Sequence, residues 1–268
     1  MDGERVDEPS VFEAVRDAIR ASRPVALVTE IEGPNVGAKL LVERDGTSVG
    51  TLGEPELDRV AARDALGELE AGTTAIRHYG PCGEARESDV ALFVESFAPP
   101  PRMLVFGAVD FTAALVKIAK VLGYHVTVCD ARELFATRRR FPEADEVVVD
   151  WPHRLLAKVG GDLGPRDAIC VLTHDHKFDI PAIVAAVGTG VGYLGAMGSR
   201  RTNEERLARL REEGLTDEQL GRLMAPIGLD LGGRTPEETA IAICAEIIAL
   251  RTGRGAPSLR DVDGPIHH

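Results

Sequence analysis

The sequence predicts a doubly wound, Rossmann-like α/β domain in its C-terminal part, preceded by a smaller α+β domain. Three observations carry that expectation. After Ala98-Pro99-Pro100-Pro101, five short runs (residues 103–106, 124–130, 146–149, 168–173 and 191–195) are apolar on both faces. Stretches with helical spacing alternate with them, which implies a parallel sheet covered on both sides. Before the prolines, the strand signals are shorter and joined by a hairpin signature. The prolines, which lack backbone donors and fix an extended path, suit a stiff connector. The expected division is therefore residues 1–98, a linker at 99–101, a domain at 102–253 and a loose tail at 254–268.

The chain has 268 residues, 44% of them hydrophobic, enough for packed cores. Lys plus Arg number 31 against 43 Asp plus Glu, a net charge of −12. That balance argues against a broad surface for nucleic acid or an anionic membrane and leaves room only for a local basic pocket. No apolar run approaches the ~20 residues that span a bilayer. Met1 to Pro9 is acidic and lacks the profile of a secretory leader, so a cytoplasmic protein is expected. Cys82, Cys129, Cys170 and Cys244 are far apart in sequence and form no Cys-x-x-Cys pair, which excludes zinc ribbons and thioredoxin-type motifs. The last three fall in apolar elements and read as buried thiols; Cys82, between Pro81 and Gly83, reads as solvent-facing.

In the N-terminal part, Ser10 can cap a helix whose Val11, Ala14, Val15, Ala18 and Ile19 share one face. Strands follow at residues 24–29, 38–42 and 47–52, with Asp45-Gly46 marking a hairpin turn. A helix over 56–69 and strands at 74–79 and 90–97 complete the domain. In the C-terminal part, helices are expected at 112–122, 180–187 and 203–213. Thr235-Pro236-Glu237-Glu238 opens a last helix with an N-cap, a first-turn proline and a capping-box glutamate. Its packing stripe reads as Ala240, Ile241, Cys244, Ile247 and Ile248.

In such a sheet, ligands bind beyond the carboxyl ends of the strands, where strand order reverses. Gly107-Ala108-Val109-Asp110 follows the first strand. It keeps only the first glycine of a dinucleotide fingerprint, with Val109 where bare backbone should approach a pyrophosphate. Asp130, 23 positions after Gly107, ends the second strand where a ribose-binding acid belongs, so NAD(P) is one candidate cofactor. Thr173-His174-Asp175-His176-Lys177-Phe178-Asp179 is the densest polar cluster. His-x-His with an acid can hold zinc or iron; the alternative is that Asp175 or Asp179 caps the next helix while His174 orients a loop. Gly198-Ser199-Arg200-Arg201 offers exposed N–H groups, a helix N-terminus, a hydroxyl and two cations, the donor set of an anion site. The alternative there is that Thr202 and Glu205 form a capping box and the arginines face water.

Several segments together resemble the XdhC/CoxI family of molybdenum hydroxylase accessory proteins. They are Leu104-Val-Phe-Gly-Ala, Val126-Thr-Val-Cys-Asp-Ala-Arg132, Phe141-Pro142, Thr173-His174-Asp175, Tyr193-Leu-Gly-Ala-Met-Gly-Ser-Arg-Arg201, Pro226-Ile-Gly-Leu-Asp230 and Thr235-Pro236-Glu237-Glu238. The N-terminal likeness is thinner, resting on residues 24–29 and 36–42. The resemblance implies a protein that binds molybdenum cofactor (molybdopterin), assists its maturation and delivers it to a molybdenum hydroxylase apo-enzyme, with a cysteine desulfurase as a further partner. It implies cofactor handling rather than turnover. Gly107, Asp130, His174, Asp175, Gly198, Ser199, Arg200 and Arg201 would line the site. The terminal phosphate would sit on residues 198–201 and the pterin within reach of His174 and Asp175. The chain departs from the family pattern twice. Its Gly-Gly-Cys stretch is here Glu54-Pro55-Glu56, a carboxylate in place of a soft thiolate, and Gly-Ala-Gly-His is here Gly107-Ala108-Val109-Asp110. An NAD(P)-dependent oxidoreductase and a ligand-free regulatory relative stand as alternatives. Two domains joined by a stiff linker are also compatible with a homodimer.

Overall fold

The structure, a computed structural model, describes residues 10–85 and 87–263. Met1 to Pro9, read above for a leader, and the last five residues of the tail lie outside them. The chain divides into two compact units, Met1–Pro99 and Pro100–His268.

The first unit is a five-stranded antiparallel sheet with two helices. Its elements are α1 (Val11–Arg20), β1 (Val25–Glu32), β2 (Lys39–Glu43), β3 (Ser48–Thr51), α2 (Pro55–Ala71), β4 (Ala75–Tyr79) and β5 (Val90–Phe97). The strand order is β3-β2-β1-β5-β4. Ser10 and Glu13 close a capping box on α1, whose Val11, Ala14, Val15 and Ala18 pack against Val25 and Leu41. Ile19 instead faces water; at 100° per residue it lies at the edge of that stripe. The Asp45-Gly46 hairpin pairs Lys39 with Thr51 and Val42 with Ser48. Gly46 takes a positive φ of 87° that side-chain-bearing residues avoid.

The second unit carries β6 (Arg102–Phe106), α3 (Asp110–Val121), β7 (His125–Cys129), β8 (Glu146–Val148), α4 (Pro152–Val159), β9 (Ala168–Val171), α5 (His176–Val187), β10 (Tyr193–Ala196), α6 (Arg200–Glu212), α7 (Asp217–Gly221), β11 (Leu223–Met224) and α8 (Pro236–Arg251). All its strand pairs are parallel. The order β8-β7-β6-β9-β10-β11 places the reversal between β6 and β9. Alternate residues of each strand feed opposite cores. Met103, Val105, Val126, Val128, Cys170 and Leu172 meet α3 and α8. Leu104, Phe106, Ile169, Val171 and Leu194 meet α4, α5 and Leu210 of α6.

Three local expectations change. The sheet has a sixth strand, β11, too short to leave a sequence signal. Helices α4, opened by Pro152 at its first position, and α7 have no counterpart among the expected helices. The buried stripe of α8 is Ala240, Ile243, Cys244 and Ile247, with Ile241 and Ile248 outside. That set follows the i, i+3, i+4, i+7 spacing of one helix face. Cys129, Cys170 and Cys244 are buried free thiols and Cys82 is exposed. Burial pushes Cys129 and Cys244 up to about 12, which keeps them as unreactive thiols.

Candidate functional site

The carboxyl ends of the parallel strands form a rim held by two acid–arginine pairs. On the β6–β7 side, Asp130 is buried at the end of β7. It accepts the Ala108 N–H at 2.8 Å, the Arg132 N–H at 2.9 Å, Arg132 Nε at 2.9 Å and Arg132 Nη2 at 2.7 Å. Burial alone would raise this carboxyl, but those donors outweigh it and hold it below its ordinary value. Four accepted hydrogen bonds match the capacity of a carboxylate, so Asp130 has no lone pair left for a ribose diol. The Arg132 side chain is 44% exposed, its guanidinium lying 4.7 Å from the Phe135 ring centre. Arg140 supports the same turn by donating to the Ala108 carbonyl at 2.8 Å.

Gly107 sits at the strand reversal with φ 111°, and a Cβ there would lie 2.6 Å from Thr173 Cγ2 and 3.1 Å from the Thr173 backbone nitrogen. Glycine is required on both counts. Val109 occupies the N-cap position of α3 and Asp110 begins the helix. The exposed Asp110 carboxylate meets Arg140 at 3.3 Å.

On the β9–β10 side, Asp179 and Arg206 are wholly buried and paired at 2.9 Å. Thr173 donates its hydroxyl to Asp179, and Arg206 also donates to Asn203 and, at 2.8 Å, to the Met197 carbonyl. Asn203 returns a bond to the Gly198 carbonyl at 3.2 Å. The network runs from the loop after β9 to the loop after β10, fixing both from beneath. Burial pushes the Asp179 carboxyl above its ordinary value, against the pull of Thr173 and Arg206.

The expected site residues now have places. Asp175 is the N-cap of α5, accepting the Lys177 N–H at 3.0 Å, whereas Asp179 belongs to the buried pair. His174 is exposed on the same loop. Among the described residues, no three His, Cys, Asp or Glu side chains converge as metal ligands would. Ser199, rather than Thr202, caps α6, accepting the Thr202 N–H at 3.1 Å. Arg201 is exposed and paired with Glu205 at 3.1 Å. Arg200 is exposed in the first helical turn. The rim thus gathers Gly107 and Asp130 on one side and His174, Asp175 and residues 198–201 on the other. The Asp179–Arg206 pair escaped sequence reasoning. Its partners are 27 residues apart, and their spacing marks no shared face.

The geometry defines a Rossmann-like unit with a preorganised rim at the strand reversal. The chain belongs to the XdhC/CoxI family: the family model described as the XdhC Rossmann domain matches residues 103–247, and that of the XdhC and CoxI family matches 18–80. It is 27% identical over 230 residues to the uncharacterized protein YqeB of Escherichia coli (strain K12), covering 81% of this chain and 41% of that protein. It is 25% identical over 240 residues to a probable xanthine dehydrogenase subunit of Bacillus subtilis (strain 168), covering 90% and 64%. A molybdenum cofactor insertion chaperone, PaoD of E. coli (strain K12), matches at 26% over 159 residues, 59% of this chain and 43% of PaoD. This chain therefore spans from 41% to 64% of the length of these curated relatives. A solved structure described as a xanthine dehydrogenase from Bacillus halodurans shares the fold, with a TM-score of 0.55 and 22% identity over 94% of this chain and 98% of that one. Among the described residues, no helix is long and apolar enough to cross a membrane.

Proposed function

We propose that this protein is an accessory factor that holds molybdenum cofactor on the C-terminal rim and passes it to a molybdenum hydroxylase apo-enzyme. Membership of the family supports the class of role, as does the likeness to a chaperone named for molybdenum cofactor insertion. The observation that carries the reading to particular residues is the turn at residues 198–201. It combines an α6 N-terminus, the Ser199 hydroxyl and the Arg200 guanidinium, and the buried Arg206 network fixes it from below. Such a turn complements a terminal phosphate by N–H and guanidinium contacts. His174 and Asp175, on the adjoining loop, would face the pterin. Arg201 contributes charge to the turn only when released from Glu205.

The chain's own residues would bind and orient this cargo; the chemistry of hydroxylation belongs to the recipient enzyme. A cysteine desulfurase as sulfur donor, a homodimeric state and a cytoplasmic setting complete the proposal. The test is calorimetric titration of the full chain with pterin-phosphate cofactor. Arg200→Ala combined with Arg201→Ala is expected to abolish binding, and unchanged affinity would remove the phosphate argument. The NAD(P) reading lacks comparable support, because Asp130 is occupied by Ala108 and Arg132.

A further inference from the structure

Strand β4 closes one side of the antiparallel sheet of the first unit and is paired with β5 alone. Among the described residues no strand lies on its outer edge, so alternate backbone N–H and C=O groups there point away from the sheet. No proline or register shift interrupts it. Helix α2 packs over the inner strands β1 and β5, and between α2 and β4 lies a cleft of about 460 Å³. One wall is the α2 stripe Asp64, Gly67, Glu68 and Ala71, whose i, i+3, i+4, i+7 spacing keeps them on one face. The other is Arg77. The Tyr79 hydroxyl donates to Asp64 at 2.8 Å and Arg77 Nε to Glu68 at 3.0 Å, so α2 runs antiparallel to β4. Four helical residues rise about 6 Å and two strand residues about 6.6 Å, so helix and strand keep step along the cleft.

The acids of the cleft are taken up internally. Glu68 accepts from Thr73 and Arg77, and Asp64 from Tyr79 and Arg63. The two guanidiniums keep donors to spare: the Arg63 side chain is 68% exposed and that of Arg77 52%, and the Nη1 of each has no acceptor among the described residues. Arg63 adjoins Asp64 at the level of Tyr79, so the two cations are staggered along β4 by about two strand residues. On the opposite face of the strand, Ile76 is exposed. A chain lying along this edge would turn alternate side chains to the two faces. Carboxylates two residues apart would meet Arg77 and Arg63, and an apolar side chain between them would meet Ile76. A second copy of β4, Ala75-Ile76-Arg77-His78-Tyr79, brings no carboxylate and a further arginine, so it does not complement the cleft.

We infer that the outer edge of β4 and its cleft form a docking surface for an extended segment of a partner protein, added to the sheet as a strand, with acidic and apolar residues in alternation. Main-chain hydrogen bonds to β4 hold the segment, and the Arg63 and Arg77 guanidiniums select it. The surface lies within the first unit and stands independently of any cargo on the C-terminal rim.

The test uses the full chain and a fluorescein-labelled peptide, Thr-Val-Glu-Val-Glu-Val-Thr, followed by anisotropy. Saturable binding is expected, with slowed amide hydrogen exchange over residues 75–79. The isomer Thr-Val-Val-Glu-Glu-Val-Thr has the same charge but turns its acids to opposite faces, and should bind about fivefold more weakly. Arg63→Glu, at an exposed cation, is expected to weaken binding about fivefold or more. A Cβ at Gly67 would meet nothing within 4 Å, so Gly67→Leu fills the cleft and places a better helix former in α2. It should leave the melting temperature unchanged or higher while weakening binding about tenfold. No saturable binding up to about 1 mM peptide overturns the docking surface. So does binding without protection over residues 75–79, binding indifferent to both substitutions, or equal binding of the isomer. Displacement of the peptide by an equal concentration of succinate would make the cleft a site for small carboxylates instead. A dimer of the chain in sedimentation that Gly67→Leu abolishes would assign the edge to a second copy; either result overturns the inference.

Discussion

The two acid–arginine pairs of the rim share a chemistry and differ in their sequence separation, 2 positions against 27, and in their burial. Asp179 and Arg206 are both wholly removed from water, whereas Asp130 is buried and Arg132 keeps 44% of its side chain exposed. The first pair joins two loops from within and has no face to offer a ligand. The second closes the acid from inside but leaves a planar cation on the surface, stacked on Phe135. A buried ion pair thus acts as a strut, while a half-exposed one both shapes the rim and lines it. The pair that is harder to see in the sequence is the one on which rim geometry depends more heavily.

Breaking each pair should separate these roles. The largest effect is expected from Arg206→Met, which leaves Asp179 buried without its cation. A loss of about 3–5 kcal/mol of unfolding free energy should appear in urea denaturation. Adding Asp179→Asn should recover part of it, and no recovery would mean that the loss is not a charge effect. Gly107→Ala comes next, since Gly107 packs on Thr173, whose hydroxyl serves Asp179, and precedes Ala108, whose N–H serves Asp130. Strain at a positive φ and the close contact should cost on the order of 2–3 kcal/mol by the same measurement. Arg132→Ala should cost less, about 1–2 kcal/mol, because the two backbone donors to Asp130 remain.

The two carboxyls should also respond to acid with opposite sign. Asp130 lies below its ordinary value of 3.8 in the folded chain. Its contribution is therefore present above 3.8 and is lost as pH falls through its folded value. Asp179 lies above 3.8, so the folded chain takes up its proton first, and stability falls as pH rises through that window. Circular dichroism against pH should accordingly show Asp130→Asn flattening the acid-side loss, while Asp179→Asn removes an opposing gain. The smallest stability effect belongs to Arg200→Ala with Arg201→Ala. These exposed side chains should change stability by no more than about 0.5 kcal/mol, so that any binding defect is not a folding defect.

Much of this organisation is legible in the chain itself. The parallel sheet follows from strands apolar on both faces. The antiparallel unit follows from Asp45-Gly46 and short alternating runs, and α8 from its capping box. Those signals are local: each depends on the backbone conformation and periodicity of a few neighbouring residues. The same locality explains the misreadings. Whether Ile241 or Ile243 faces the core depends on where α3 sits, and whether Ser199 or Thr202 caps α6 depends on whether the helix starts three residues earlier or later. Residues 198–201, His174 and Asp175 could be nominated because the loops after parallel strands face one edge, a rule of topology rather than of distance.

The sequence alone determined the fold class, the reversal of strand order that concentrates loops at one rim, and the family to which those loops belong. Tertiary structure alone decided which charges are taken up internally. Asp130 and Asp179 are indistinguishable as letters, but a carboxylate's availability depends on the donors that folding brings within 3 Å of it. Arg132 is local to Asp130, two positions on, but the other donors come from residues 22 and 27 positions away, separations at which chain order carries no information about contact until the sheet has assembled.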